Sequence, residues 1–149
     1  MTTIDVSPYN QHVKYFQYLW PIAKAIEPVA NCRLAACLVH RNEIISVGVN
    51  MKKSHPFMLR FSRHEDAIYL HAETDAIKNA LKEYDEEFLR RCKLYVLRVK
   101  KPQEYSRHYV TGMAKPCIGC QRALATFNIK ECYFSLDSDT PGVFNYGSL

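Results

Sequence analysis

Apolar side chains recur at helical spacing in three parts of this chain. Over residues 10–29 they form one broad face, and Pro21 within that face is expected to kink the helix or to start its second half. The same spacing runs from residue 71 to residue 88 and appears again over residues 120–127. The pattern therefore predicts three amphipathic helices, one near the amino terminus and two in the second half of the chain.

Short, continuous apolar runs predict the strands. Residues 34–40 and 44–49 are two such runs, and the polar residues 41–43 between them complete the pattern of a β-hairpin. Residues 92–99 and 131–136 predict two further strands. The pattern therefore gives four strands.

The remaining segments show no periodic pattern. Segments 51–70 and 100–115 are expected to be long loops, and the tail from Asp137, rich in Asp, Ser, Pro and Gly, is expected to be irregular. The predicted order of elements is α-β-β-α-β-α-β. At 149 residues, of which 48% are apolar, the chain is long enough for a single domain over residues 1–149 with its own hydrophobic core.

Composition narrows the class of protein. No apolar run approaches the roughly 18 residues that a membrane-spanning helix needs, and the amino terminus lacks the pattern of a signal peptide. We therefore expect a cytoplasmic protein with no membrane partner, whose six cysteines are reduced thiols. Cys117 and Cys120 stand at metal-ligand spacing, while the other four cysteines are expected to be small buried apolar residues.

The net charge of +5 is concentrated in the two predicted loops. Segments 51–70 and 100–115 together hold eight Lys and Arg residues against three acidic residues, so they carry the whole excess. Scattered lysines are usually just a solvated surface. A positive rim around a pocket for an anionic substrate is the more specific interpretation.

Two short fragments carry the candidate chemistry. His71-Ala72-Glu73 and Pro116-Cys117-Ile118-Gly119-Cys120 together supply one imidazole, two thiols and one carboxylate. An imidazole and two thiolates are zinc ligands, and three protein ligands leave the fourth position for water, which is typical of catalytic zinc sites. The carboxylate two residues after the histidine can then move protons at that water.

Both fragments lie where a helical pattern begins after a predicted loop. Free backbone N–H groups and the positive end of the helix dipole stabilise thiolates at such a position. Cys117 and Cys120 are three residues apart, so they share one face of the helix and can bind one metal ion together. Pro116 fits a helix start because it has no N–H to donate.

The order His-x-Glu followed by Pro-Cys-x-x-Cys is the signature of zinc-dependent deaminases. With this signature, the chain resembles the cytidine deaminase-like superfamily over roughly residues 15–136. The resemblance implies an α/β fold, a three-layer α/β/α sandwich with a mixed sheet of about five strands, the fifth of which the tail can supply. It also implies that His71, Cys117 and Cys120 bind Zn²⁺ and that Glu73 shuttles protons.

The resemblance also suggests contacts to the substrate. Asn50 stands at the end of the second predicted strand, in the segment that resembles the family's substrate-contacting asparagine. The backbone around Ala72 and Cys117 is a candidate for contact with the base. Segment 51–70 offers basic and polar groups suited to ribose or phosphate, and these candidates are His55, Arg60, Arg63 and His64.

Three functions remain open. We favour deamination of cytosine to uracil in a free nucleotide or nucleoside, by a protein expected to be a homo-oligomer. The main alternative is a deaminase acting on cytosine or adenine within single-stranded DNA or RNA, with aromatic side chains of the basic segments as stacking platforms. A non-enzymatic zinc-binding module is the third, and it needs Cys92 or Cys132 as a fourth ligand. The stacking candidates are Phe57, Phe61, Tyr105 and Tyr109.

Overall fold

A mixed β-sheet of six strands runs through the part of the chain that the structure, a computed structural model, describes, namely residues 10–26, 32–51, 55–61 and 70–149. Its strands are β1 (Arg33–His40), β2 (Glu43–Val49), β3 (Lys93–Lys100), β4 (Val110–Gly112), β5 (Glu131–Ser135) and β6 (Tyr146–Ser148). The helices are α1 (Val13–Lys24), α2 (Pro56–Leu59), α3 (Ala72–Ala80), α4 (Glu86–Leu89) and α5 (Ile118–Thr126).

The strand order is β2-β1-β3-β5-β6, and β4 pairs with the end of β3. β1 is antiparallel to both of its neighbours, β6 is antiparallel to β5, and β3 and β5 are parallel. Parallel strands need a crossover connection, and here the chain passes through α5 between them. The start of α5 is therefore tied to the chain that leaves the carboxyl end of β3.

Alternating side chains of the strands supply two separate cores. On one face, residues such as Ala36 and Val96 pack with α3 and α5. On the other face, residues such as Cys37 and Leu97 pack with α1. The sheet thus lies between two helical layers, which confirms the predicted three-layer α/β/α sandwich.

Most predicted elements are present. The hairpin is confirmed, and its turn residues Arg41 and Asn42 have φ of 49° and 66°, the left-handed geometry of a tight two-residue turn. The tail does supply a strand, because β6 pairs with β5. Pro21 lies inside α1, which continues through it to Lys24.

Three parts of the prediction are wrong. The predicted loop 100–115 contains β4, whose three buried residues are too few to show a period, and the predicted loop 51–70 contains the four-residue α2. The single helix expected over residues 71–88 ends at Ala80, and a separate helix, α4, follows. Asp85 starts α4 by accepting a hydrogen bond from the Phe88 N–H at 2.9 Å.

No helix within the described ranges is long and apolar enough to cross a membrane.

Helix α3 lies unusually close to β2. A side chain at Gly48 would overlap the backbone of Ala72 and Ala76, so only glycine allows this approach. Hydrogen bonds then join the two elements: Val49 N donates to Asp75 Oδ2 at 3.0 Å, and Ser46 Oγ donates to the Ala76 carbonyl at 2.8 Å. The first turn of α3 is therefore held in one position against the sheet.

An aromatic cluster surrounds His12 on the other face of the sheet. The imidazole stacks on Tyr133 with 4.2 Å between ring centres, and its Nδ1 lies 2.6 Å from the Tyr95 hydroxyl oxygen. Burial lowers the pKa of His12, and the nearby charge of Lys93 lowers it further. Folding therefore favours the neutral ring.

We predict that Gly48→Ala destabilises the fold by about 3 kcal/mol or more, because the added methyl group meets backbone rather than a mobile side chain. Gly112→Ala is the matched control. Its methyl group would meet flexible stems of Arg98 and Lys100, so a cost below about 1 kcal/mol is expected. Urea unfolding measures both values, and equal costs for the two variants would contradict this account of the α3–β2 contact.

We also predict that His12 makes the fold sensitive to acid. Since the folded chain binds the His12 proton less tightly than the unfolded chain, the free energy of unfolding falls as pH drops through the ordinary value of 6.5. His12→Gln should show a smaller decrease between about pH 7.5 and pH 5.5. His108→Gln, at an exposed position, serves as control. Equal pH dependence in wild type and His12→Gln would rule this out.

Candidate metal centre

The two fragments singled out in the sequence meet at two helix starts. His71 is the N-cap residue of α3 and Cys117 is the N-cap residue of α5, both with extended backbone geometry. Cys120 lies one turn further along α5, and its backbone N–H donates to Cys117 Sγ at 3.4 Å. The predicted position of both fragments is confirmed.

The three predicted ligands converge on one point. His71 Nδ1 lies 3.4 Å from Cys117 Sγ and 3.4 Å from Cys120 Sγ, and the three donor atoms all lie within 4.8 Å of one another. Tetrahedral zinc with Zn–N near 2.0–2.1 Å and Zn–S near 2.3 Å separates such ligands by about 3.5–3.8 Å. The donor set and its spacing therefore fit a zinc ion.

Hydrogen bonds within the group shift the pKa values of its side chains. A hydrogen bond from the Cys120 side chain, helped by His71 and by the Cys120 N–H, lowers the pKa of Cys117 to about 4. The same interaction, together with burial, raises the pKa of Cys120. Hydrogen bonding to Cys117 also raises the pKa of His71. A metal ion would displace these protons, because its ligands are thiolates and a neutral imidazole.

Glu73 lies beside this group without belonging to it. It is the second residue of α3, after Ala72, and its side chain is buried with 4% exposure. Burial raises the pKa of Glu73, although its own backbone N–H and the His71 charge oppose the shift. Its carboxyl group contacts the Cys120 side chain. The folded chain therefore holds the Glu73 proton more tightly than an exposed glutamate would.

Asn50 is buried, and the backbone holds its side chain. Its Oδ1 accepts from the Leu34 N–H at 2.8 Å and its Nδ2 donates to the Cys32 carbonyl at 3.0 Å. The next residue, Met51, donates its N–H to the carbonyl of Leu70, the neighbour of His71. A contact between Asn50 and the substrate stays a prediction.

The predicted contacts from segment 51–70 have separate positions. His55 caps α2, because its Nδ1 accepts from the Phe57 N–H at 3.0 Å. The exposed guanidinium of Arg60 lies 5.1 Å from the ring centre of Phe61. Arg63 and His64 fall outside the described residues. A substrate contact by any of them stays a prediction.

Helix α2 holds the two ligand-bearing helices together. Met58 is buried, and its sulfur accepts a hydrogen bond from Thr74 Oγ1 of α3 at 3.3 Å. On the other side, a Cβ at Gly119 of α5 would come within 3.2 Å of the Phe61 carbonyl oxygen. The α2 segment thus fixes the spacing between His71 and the cysteines.

Sequence reasoning missed Asp75 and Arg98. Asp75 is 4% exposed and anchors α3 to β2. A carboxylate inside the apolar face of a predicted helix is the signal that marks it. Arg98 is a charged residue inside the predicted strand 92–99, and its Nε is buried. Both residues are charged exceptions to the apolar pattern of their elements.

The structure bears on the two alternative functions, a deaminase of single-stranded nucleic acid and a non-enzymatic zinc module. Phe61 is buried, and Phe57 of α2 stacks on Phe127. Tyr105 is 82% exposed, so it is the stacking candidate most open to a base. Within the described residues, the potential metal ligands that cluster are His71, Cys117 and Cys120, without Cys92 or Cys132. A structural zinc site requires a fourth protein ligand, and the described residues place none with these three.

Comparison with known proteins identifies the family. A model described as the cytidine and deoxycytidylate deaminase zinc-binding region matches residues 9–136, which confirms the resemblance. No curated protein matches the chain. The apo crystal structure of dCMP deaminase from the cyanophage S-TIM5 is 18% identical over 89% of this chain and 87% of that chain, with a TM-score of 0.50. The structure of that cyanophage enzyme in complex with dCMP and dUMP is 17% identical, over 87% and 83%, with a TM-score of 0.50. These likenesses confirm the predicted fold.

We predict that Cys120→Ser loses zinc. Removing a ligand should weaken zinc binding by more than the roughly 10–100-fold cost of losing an outer hydrogen-bond partner. Cys37→Ser, at a cysteine buried on the opposite face of the sheet, is the control and should retain zinc. The measurement is the zinc-to-protein ratio after dialysis against a weak chelator. Full zinc content in Cys120→Ser would contradict the assigned ligand set.

Proposed function

The chain belongs to the cytidine and deoxycytidylate deaminase family, and from this premise we propose that it hydrolyses the exocyclic amine of cytosine in a free nucleotide or nucleoside, giving uracil and ammonia. The observation that carries the proposal is the arrangement at the two helix starts. Three zinc-type donor atoms converge there, and a buried carboxyl group lies next to them without being part of the set. That arrangement is typical of a catalytic site rather than a structural one.

His71, Cys117 and Cys120 would hold the zinc ion. Zinc in such a site lowers the pKa of water and so supplies a nucleophile near neutral pH. Since two thiolates offset the charge of the ion, that lowering is weaker than in a site with three histidines. A nearby base is therefore needed to take the proton.

Glu73 is that base. It accepts the first proton of the attacking water and transfers it to the ring nitrogen of cytosine. It then takes the second proton from the hydroxyl group now on the base carbon and gives it to the amine, so that ammonia leaves as the carbonyl forms. Burial raises the pKa of Glu73, which suits a group that must both accept and release a proton in one cycle. Its fixed position in the first turn of α3 keeps the carboxyl group in place throughout.

The proposed contacts to the substrate come from several segments of the chain. Asn50, whose side chain is held by the backbone at Leu34 and Cys32, is the proposed contact to the sugar or base. The backbone at Ala72 and Cys117 is the proposed contact to the base. His55, Arg60 and Arg63 remain candidates for contact with ribose or phosphate. Self-association and a cytoplasmic location stay predictions.

A base in single-stranded nucleic acid is the second candidate substrate. The observation in its favour is Tyr105, which is 82% exposed within the basic segment 100–115 and can stack on a base. If this alternative is right, oligonucleotide binding should weaken steeply as salt is added. Efficient turnover of free mononucleotide would favour the first proposal instead.

We predict that Glu73→Gln keeps its zinc and its fold but loses deamination by about 10²–10⁴-fold or more, because proton transfer is lost. Glu83→Gln, at an exposed position of the same chain segment, should keep wild-type activity. The assay is ammonia release from a panel of bases, nucleosides, nucleotides and oligonucleotides, with zinc content measured on the same samples. Retained turnover in zinc-loaded Glu73→Gln would contradict the assigned role.

A further inference from the structure

A cavity of about 180 Å³ lies on the face of the sheet that α1 covers, where the β1–β2 turn, the start of β3 and the start of α1 meet. We call it the His12 pocket, and its lining includes His12, Arg41, Arg91, Lys93 and Tyr95. The candidate metal centre lies on the other face, with α3 and α5. We propose that the His12 pocket is a second binding site, which takes a phosphate group, either as inorganic phosphate or as the monoester of a small molecule.

Positive charge dominates the His12 pocket. The described residues of its lining include three cations, Arg41, Arg91 and Lys93, and no carboxylate. Glu131 offsets one of these charges, because its Oε2 lies 3.4 Å from Lys93 Nζ. The ion pairs found within the described ranges involve neither arginine. Two guanidinium charges therefore remain, and they match a phosphate group, which carries about −1.5 to −2 at neutral pH, better than a carboxylate.

Arg41 stands in a conformation that a long side chain rarely adopts. Its φ is 49°, in the left-handed region that a two-residue hairpin turn usually fills with asparagine, aspartate or glycine. Close to this turn, the pairing of β1 with β2 shifts by one residue between Leu38 and Val39, which is a β-bulge. Strained residues and bulges of this kind are enriched at binding sites. The unfavourable backbone geometry indicates that the turn carries Arg41 for its guanidinium group.

His12 adds a fixed neutral group to the cations. Its Nδ1 lies 2.6 Å from the hydroxyl oxygen of the buried Tyr95, and its ring stacks on Tyr133 with 4.2 Å between ring centres. When Nδ1 accepts the tyrosine proton, Nε2 carries the N–H of the ring, and a phosphate oxygen can accept that hydrogen. The pocket thus combines two planar cationic donors with one imidazole that is held in place.

The size of the His12 pocket limits what it can hold. Sites that enclose a whole drug-sized ligand usually measure about 300–1,000 Å³, whereas this cavity measures about 180 Å³. It is therefore suited to one tetrahedral group rather than to an entire nucleotide. Gln11, Arg41 and Asn42 of the lining are exposed, so the organic part of a phosphate ester would extend into solvent.

Magnetic resonance of the histidine rings tests the site. The His12 ring lines the pocket, so its signals do not report phosphate that is bound elsewhere. Zinc-loaded full-length protein is titrated with sodium phosphate, with sodium chloride of equal ionic strength as the reference. We expect the His12 signals, identified by their loss in His12→Gln, to move with phosphate and to saturate. His12 signals that stay in place, or that move without saturating, would overturn the proposal.

A pair of arginine variants tests which cations bind. Arg91→Gln should weaken phosphate binding about tenfold to a hundredfold, because one charge-assisted contact is lost. Arg122→Gln removes the same charge at an exposed position of α5, on the other face of the sheet, and should leave binding unchanged. Equal phosphate affinity in wild type and Arg91→Gln would refute the site.

Arg41→Asn separates binding from folding. Asparagine suits the left-handed geometry of this turn, so the variant should unfold at a higher urea concentration than wild type. Its phosphate binding should nevertheless weaken about tenfold or more, because a guanidinium group is lost. Loss of binding in a more stable protein cannot come from unfolding. Phosphate binding of wild-type strength in Arg41→Asn would overturn the proposal.

Ribose 5-phosphate and acetate identify the ligand. Tighter binding of the ester than of inorganic phosphate assigns the pocket to the phosphate group of a larger molecule, and weaker binding assigns it to the free ion, so both results support the site. Acetate, with a single charge, should bind about tenfold more weakly than phosphate, and equal binding would overturn the choice of ligand. These measurements involve no turnover, so their outcome is independent of the proposed deamination.

Discussion

The contact between α3 and β2 is the constraint on which the metal centre depends. Only a glycine at position 48 lets the helix lie so close to the strand, and Asp75 then binds the Val49 N–H that would otherwise be left unpaired. This contact fixes the first turn of α3, and that turn carries both His71 and Glu73. The cysteines come from α5, which enters from the carboxyl end of β3. Donor atoms from residues 46 and 49 positions apart in sequence thus converge within hydrogen-bonding distance.

The same packing gives the three candidate metal ligands and the Glu73 carboxyl group different surroundings. His71 and the two cysteines face one another, while Glu73 is turned into a buried position beside Cys120. Burial raises the pKa of both Cys117 and Glu73. At Cys117 the hydrogen bond from Cys120 outweighs burial and lowers the pKa to about 4, whereas at Glu73 burial dominates and makes the carboxyl group a weaker acid. The candidate metal ligands and the Glu73 carboxyl group therefore lie next to each other with pKa values shifted in different ways.

The sequence predicted the local parts of this structure well and the long-range parts poorly. His-x-Glu and Pro-Cys-x-x-Cys are local patterns at helix starts, so spacing alone could select the side chains that the fold brings together. Strand β4 could not be seen, because its three residues become a strand only by pairing with β3. The break after Ala80 was hidden because Tyr84 and Phe88 continue the apolar spacing while they stack on each other. One cavity is lined by Arg33 of β1 and by Arg98 and Lys100 of β3. Sequence spacing cannot predict that residues of different strands line the same cavity.

The central claim is that three protein ligands hold zinc and leave its fourth position open. X-ray absorption at the zinc edge of the purified protein tests this claim directly, because it counts the ligand atoms of each element. We expect two sulfur atoms near 2.3 Å, one imidazole nitrogen and one further light atom near 2.0–2.1 Å from solvent. A third sulfur or a second imidazole would mean that protein closes the site, and this result would contradict the assignment of a catalytic metal centre.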